Sequence, residues 1–208
     1  MTLVRAEREA LCDTLLGAGP DEMTLCEGWT VLDLAAHLVV RENRPDAAAG
    51  ITVPFLAPRL DRVTRARAAQ GLPALVRTLR AGPPWWSPTV VPALDARVNL
   101  VELVVHHEDV RRAAGRAPRP GLDALQDAVW GSLRTTSLLA LRHSRVPVVV
   151  VRDDGRRRVL RPGAHPVVLT GEPVELLLRL LGRTRGVEVD LGGSRLSVSR
   201  FAAASQGY

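Results

Sequence analysis

Several residue types are absent or scarce in this chain of 208 residues. It has no lysine, so all 28 basic residues are arginine, and Ile51 is its one isoleucine. This bias is typical of a GC-rich genome. Aromatic residues make up 3% of the chain, and the arginines are dispersed, so the net charge of +6 does not indicate a nucleic-acid-binding face. No apolar run approaches 18 residues, which argues against a membrane-spanning helix.

Cysteine is also scarce, with one residue at Cys12 and one at Cys26. Their separation gives no CxxC metal or redox motif. The N-terminus lacks the apolar segment of a signal peptide, so we expect a cytoplasmic protein whose cysteines are reduced. Cys12 is expected to be a small core residue. Cys26 precedes Trp29 in a connection, and we expect neither cysteine to supply a catalytic thiolate.

Helical periodicity dominates the chain up to about residue 145. It predicts helices over 2–17, 30–48, 59–81, 92–114 and 121–143, with Gly71 and Pro73 dividing the third. These segments predict an antiparallel four-helix bundle with an extra broken helix. We therefore expect an α+β protein in which residues 1–145 form a helical domain.

After His143 the sequence changes to strand patterns. Strands are predicted at 146–152, 156–161 and 167–169, with a hairpin turn at 153–155. A helix should open at Pro173 and end near Gly182. Residues 187–191 and 196–198 read as a closing hairpin. Residues 146–208 should therefore form a small β-rich α/β domain, without the glycine-rich fingerprint of a nucleotide-binding unit.

The most informative motif is the pair Glu102 and His106 within an otherwise apolar helical run. Residues four apart on a helix lie on one face, about 6 Å apart along the axis. A buried carboxylate and imidazole need compensation, which a divalent metal ion supplies. The alternative is a hydrogen-bonded Glu–His pair on a partly hydrated face, and both interpretations stay open on this pair alone.

A third ligand is available on the preceding helix. Thr30 is predicted as its N-cap with Asp33 at the third helical position, and His37 lies beside the apolar stripe of this helix. A single histidine there is more often a core or boundary residue. Together with Glu102 and His106, it completes a set of two histidines and one carboxylate. Three protein ligands and an open position are typical of catalytic metal sites.

These residues carry a resemblance to a known family. The sequence GWTVLDLAAHL, which ends at Leu38, and the later Glu102-x3-His106-x2-Asp109 resemble the mycothiol-dependent maleylpyruvate isomerase family of the DinB-like metalloprotein superfamily. The resemblance covers most of the chain. It implies that His37, Glu102 and His106 bind a divalent metal, with zinc the expected ion. Mycothiol is the implied thiol cosubstrate, which suits an actinobacterial protein.

The resemblance implies that a metal-activated thiol acts on a small unsaturated or electrophilic acid, as an isomerase or as an S-transferase. An arginine of the C-terminal lobe would bind the acid group, and no motif assigns this role to Arg195 or Arg200. The alternatives are a metal-dependent hydrolase of a small amide or ester and a non-catalytic metal-binding protein. We expect a small-molecule substrate, with neither nucleic acid nor membrane as partner; nothing in the sequence specifies an oligomeric state.

Three further residues have two interpretations each. Trp85 and Trp86, in a proline-rich loop, either anchor that loop on the core or line a substrate pocket. Asp109, one turn beyond His106, either orients the imidazole of this ligand by a hydrogen bond or pairs with a neighbouring arginine. Asp109 is also the one candidate general base for the hydrolase alternative.

Overall fold

The computed structural model of the chain describes residues 2–48, 50, 53–87, 99–142 and 144–204. It combines helices with a four-stranded sheet and is an α+β protein. The chain divides into two compact units, Met1–Ala117 and Pro118–Tyr208. Gly115, with φ of +72°, ends the last helix of the first unit. The sequence predicted the domain boundary after residue 145. In the structure, the helix predicted over 121–143 belongs to the second unit.

The elements of the first unit within the described residues are helices. Its helices are α1 Leu3–Ala18, α2 Val31–Asn43, the short α3 Pro45–Ala48, α4 Ala57–Ala68, α5 Leu72–Ala81 and α6 Leu100–Ala113. A 3₁₀ turn over Pro54–Leu56 precedes α4. Helix α1 packs on α5 and α6, while α2 packs on α4 and α5. These contacts form a helical bundle.

The bundle core is built from the apolar stripes of these helices. Fully buried side chains at its centre include Leu11, Leu15, Leu34, Leu38, Leu75, Leu79 and Leu103. The bundle also contains a buried ion pair between two of its helices: Arg8 of α1 contacts Glu42 of α2 at 2.7 Å and donates to the backbone oxygen of Leu79 at 3.1 Å. Three helices are thus joined at one buried guanidinium.

The helix predictions for the first unit have different outcomes. The single helix over 30–48 is wrong, because the chain breaks at Arg44, whose φ and ψ of −135° and 68° are not helical. Pro45 causes this, since proline disfavours the α conformation of the residue before it. The division of 59–81 is confirmed by α4 and α5. The predicted start of the next helix, at 92–98, lies outside the described residues.

The second unit begins with helix α7, Asp123–Ala140, and continues with β1 Val148–Val151, β2 Arg157–Arg161, β3 Val167–Thr170, α8 Pro173–Leu180, β4 Asp190–Gly192 and α9 Arg195–Ala204. The sheet order is β2-β1-β3-β4. Strand β1 pairs antiparallel with β2 and parallel with β3, and β3 pairs antiparallel with β4. Helix α7 packs on α8 and β2.

The hairpin predicted at 153–155 is confirmed by the β1–β2 pairing, with Gly155 at φ of +84° in the turn. The closing hairpin is wrong in its second half, because residues 196–198 belong to helix α9. The Ser194 side chain explains this, since its hydroxyl accepts the backbone N–H of Ser197 at 3.1 Å and so caps the helix start. Strand β4 instead pairs with β3.

Among the described residues, no helix combines the length and the apolar character needed to cross a membrane.

Candidate metal centre

Helix α2 brings His37 to the site, and its start is fixed by local sequence. The Thr30 side chain accepts the backbone N–H of Asp33 at 3.3 Å, and the Asp33 carboxylate accepts the backbone N–H of Thr30 at 3.0 Å. This reciprocal capping box confirms the predicted N-terminus. Because the first residue of the helix is fixed, His37 and Arg41, four residues apart, lie on the same side of it.

Helix α6 supplies the other two predicted ligands. The Oε2 atom of Glu102 lies 3.5 Å from Nε2 of His106, one turn along the helix. His106 is 8% exposed, whereas the Glu102 side chain is 37% exposed. The pair therefore has an inner imidazole and an outer carboxylate, so the site opens on the Glu102 side of the ring.

The three residues predicted as metal ligands converge. One ligand atom from each of His37, Glu102 and His106 lies within 4.8 Å of the other two. The imidazole centroids of His37 and His106 are 5.4 Å apart, nearly perpendicular at 73°. The ring of Trp29 also contacts the imidazole of His37, and their centroids are 4.9 Å apart. Two nitrogens and one carboxylate oxygen around one point suit a divalent ion such as zinc.

The electrostatics of two of the three candidate ligands, His37 and Glu102, also suit a cation. Burial, together with the charge of His106, lowers the pKa of His37 to about 4, so its ring is neutral at pH 7. Burial raises the pKa of Glu102, but its hydrogen bond to His106 and the charge of Arg41 bring this pKa down to about 2. A neutral imidazole and an ionised carboxylate are the protonation states that metal coordination requires.

Asp109 supports His106 from the side opposite Glu102. Its Oδ2 atom lies 3.0 Å from Nδ1 of His106, and its side chain is fully buried. Burial lowers the pKa of His106, but hydrogen bonds to Asp109, Cys26 and Glu102 raise it well above its usual value. A carboxylate at Nδ1 orients the ring so that Nε2 faces Glu102. This geometry fits the interpretation in which Asp109 orients the imidazole of His106.

Two residues beside the site were not selected from the sequence. Arg41 of α2 places Nε 3.4 Å from Oε2 of Glu102 and donates through Nη1 to the Asn99 side chain at 2.7 Å. Cys26 donates to Oδ2 of Asp109 at 3.2 Å, and its sulfur lies 3.8 Å from Nδ1 of His106. The signal for Arg41 was its spacing of four from His37. The sequence did not predict the contacts of Cys26 with Asp109 and His106, and the expectation that it supplies no catalytic thiolate stays a prediction.

The remaining candidates lie elsewhere in the first unit. Trp85 and Trp86 are 86% and 48% exposed, so neither anchors its loop by burial in the core. Their role as pocket residues stays a prediction. His107, next to His106, faces α1: its Nδ1 lies 2.8 Å from Oε1 of Glu7, and its Nε2 lies 2.8 Å from the Thr14 hydroxyl.

Comparisons with known proteins identify the family of the chain. A protein-family model described as "Mycothiol maleylpyruvate isomerase N-terminal domain" matches residues 2–111, which is more than half of the chain and includes all three clustered residues. The chain is also similar to a solved structure titled "Crystal structure of the mycothiol-dependent maleylpyruvate isomerase", at 18% sequence identity and a TM-score of 0.45, over 92% of this chain and 90% of that one. No curated protein matches the chain significantly. From the family match, the chain belongs to the mycothiol maleylpyruvate isomerase N-terminal domain family.

Proposed function

We propose that the chain is a divalent-metal-dependent enzyme that uses mycothiol to act on a small unsaturated or electrophilic acid, by isomerisation or by S-transfer. The observation that carries the proposal is the convergence of His37, Glu102 and His106 within 4.8 Å, inside the region that matches the family. Zinc is the ion we expect, because two imidazoles and a carboxylate are a common catalytic zinc set.

The donor set supports a catalytic rather than a structural role. His37, Glu102 and His106 provide three protein ligands, whereas structural zinc sites have four. A divalent ion held there would lower the pKa of an exogenous thiol to below neutrality. The Glu102 side chain is 37% exposed, against 10% for that of His106, which leaves this side for a ligand from solution.

The surrounding residues fix the two rings. Trp29 packs against His37, and Asp109 accepts a hydrogen bond from Nδ1 of His106. Arg41 holds Glu102 through a 3.4 Å ion pair and offsets its negative charge when no cation is bound. Such preorganisation reduces the cost of ordering the ligands when the ion binds.

The thiol is expected to come from outside the chain. Cys12 is fully buried among core residues, and burial raises the pKa of its thiol to about 11. Cys26 lies on the Nδ1 side of His106, whereas Glu102 lies on the Nε2 side. Neither cysteine of the chain therefore offers a thiolate to the Glu102 side, and mycothiol would fill that role.

The hydrolase alternative gains no support from the geometry. It requires a general base that reaches a bound water, and Asp109 was the candidate. This carboxylate is fully buried and already accepts hydrogen bonds from His106 and Cys26. Its position suits the orientation of the imidazole rather than proton abstraction from a substrate.

Metal analysis and turnover test the proposal together. His106→Ala and Glu102→Gln should each lower the bound metal and the turnover of the acid substrate, and activity should require both metal and mycothiol. His165→Ala is the matched control, because this exposed histidine lies in the second unit. Equal metal content in wild type and His106→Ala would contradict the site. Full turnover in thiol-free buffer would contradict the thiol mechanism.

A second part of this experiment tests which arginine binds the acid group of the substrate. Arg195 and Arg200 are both exposed on helix α9. If either binds the carboxylate, its replacement by methionine should raise KM or lower kcat while leaving metal content unchanged. A loss of metal in these variants would show a structural effect instead.

A further inference from the structure

The imidazole of His106 lies between two different sets of donors. On one side, Nε2 lies 3.5 Å from Glu102 Oε2, which belongs to the site described above. On the other side, Nδ1 lies 3.0 Å from Asp109 Oδ2 and 3.8 Å from Cys26 Sγ. Cys26 and Asp109 are themselves 3.2 Å apart. The proposed function uses the second set only as support for the ring.

The spacing of this second set matches the coordination of a metal ion. A tetrahedral zinc ion with sulfur at about 2.3 Å and nitrogen or oxygen at about 2.0–2.1 Å holds its donors roughly 3.3–3.6 Å apart. The three donor–donor distances are 3.0, 3.2 and 3.8 Å, so they bracket this range. Shifts of a few tenths of an ångström would complete the triangle.

The backbone holds Cys26 in place for such a role. The N–H of Leu25 donates to the backbone oxygen of Asp109 at 3.1 Å, which ties the loop to helix α6. The N–H of Cys26 donates to the Thr24 hydroxyl at 3.1 Å. The backbone that leads into the α-carbon of Cys26 is therefore held by two hydrogen bonds, which position the sulfur. A preorganised donor loses little conformational entropy when an ion binds.

We propose that Cys26, His106 Nδ1 and Asp109 form a second cation site that takes a thiophilic divalent ion, with zinc as the physiological choice. A thiolate, an imidazole and a carboxylate select zinc over magnesium or calcium, which require oxygen donors. On binding, the thiol proton of Cys26 and the proton at Nδ1 of His106 pass to solvent, and Asp109 changes from hydrogen-bond acceptor to ligand. This second site needs neither His37 nor Glu102.

Two consequences follow from the shared ring. An ion at Nδ1 removes the hydrogen bond by which Asp109 orients His106, so excess zinc should inhibit the enzyme. The chain also carries its own sulfur donor, Cys26, close to His106 of the proposed catalytic metal site. A sulfur–metal signal in wild-type protein therefore does not by itself demonstrate bound mycothiol.

Cobalt substitution tests this second site directly. Purified protein, reduced without any small thiol, is titrated with Co²⁺, and the thiolate-to-cobalt charge-transfer absorption is recorded. We expect the absorption in wild type and in His37→Ala, and its loss in Cys26→Ser. Cys12→Ser is the matched control and should retain it, because Cys12 is buried in the core of the bundle.

The variants separate this site from the proposed function. Cys26→Ser keeps a hydroxyl donor for Asp109, so unchanged far-UV circular dichroism would exclude misfolding as the cause of a lost signal. Persistence of the absorption in His37→Ala, with turnover abolished, would support the second site and the catalytic site independently. Absence of the absorption in wild type at saturating Co²⁺ would overturn the second site, as would its survival in Cys26→Ser.

Discussion

The buried ion pair between Arg8 and Glu42 gives a strong test of how the bundle is stabilised. The pair spans 2.7 Å between α1 and α2, and its side chains are only 4% and 2% exposed. Glu42→Ala would leave the Arg8 guanidinium buried without its carboxylate. Removing one partner of such a pair costs about 3–5 kcal/mol. That is a large fraction of the roughly 5–15 kcal/mol that stabilises a typical protein.

An exposed pair on the same helix is the matched control. Asp13, also on α1, contacts Arg80 of α5 at 2.6 Å, but these side chains are 72% and 39% exposed. Solvent screens this pair, so Asp13→Ala should change stability little. Both substitutions truncate an acidic side chain that joins two helices, and they differ mainly in burial.

Urea unfolding followed by far-UV circular dichroism measures the difference. With an m-value of about 2 kcal/mol/M, Glu42→Ala should lower the midpoint by roughly 2 M. The double variant Arg8→Met/Glu42→Leu should recover most of this loss, because it removes both charges from the interior. The reasoning fails if Glu42→Ala and Asp13→Ala lower the midpoint equally, or if the double variant is no more stable than Glu42→Ala.

Three further predictions concern the site and its scaffold. Asp109→Asn should weaken metal binding by roughly 10–100-fold, because it removes the charged acceptor at Nδ1 of His106; a chelator competition assay measures this, and unchanged affinity would contradict the role of Asp109 in orienting the ring. Burial raises the pKa of Cys12 to about 11, so the fold should lose stability as pH rises from 9 to 11, where the unfolded thiol ionises first; a Cys12→Ala variant should show a flatter profile. Thr30→Ala should cost about 1 kcal/mol through loss of the N-cap, whereas Thr30→Ser should cost less; equal losses in the two variants would refute the capping argument.

The sequence could predict those parts of the site that depend on local geometry. Glu102 and His106 share a face because helical periodicity fixes their relation over four residues. The capping box at Thr30 and Asp33 likewise depends only on residues three apart. His37 was added from a helical stripe and from the family resemblance. None of these steps required knowledge of how the loops run.

What the sequence could not predict depends on tertiary contacts. Cys26 approaches Asp109 because the backbone of Leu25 bonds to helix α6, a contact between residues more than eighty positions apart. No periodicity encodes that path. The error at 196–198 has a different cause: alternating apolar and polar residues are compatible with a strand, but Ser194 caps a helix instead.

The four consecutive polar residues of α6 explain why a buried helix can carry this chemistry. Successive residues point about 100° apart, so each one meets a different partner. His106 faces the candidate metal centre, His107 bonds to a glutamate and a threonine of α1, Glu108 pairs with an arginine one turn later, and Asp109 meets the loop of Cys26. Each of these polar side chains therefore has a partner in its own direction. These contacts prevent the helix from rotating about its axis. Because the helix is fixed, Nε2 of His106 stays next to Glu102 and Nδ1 stays next to Asp109.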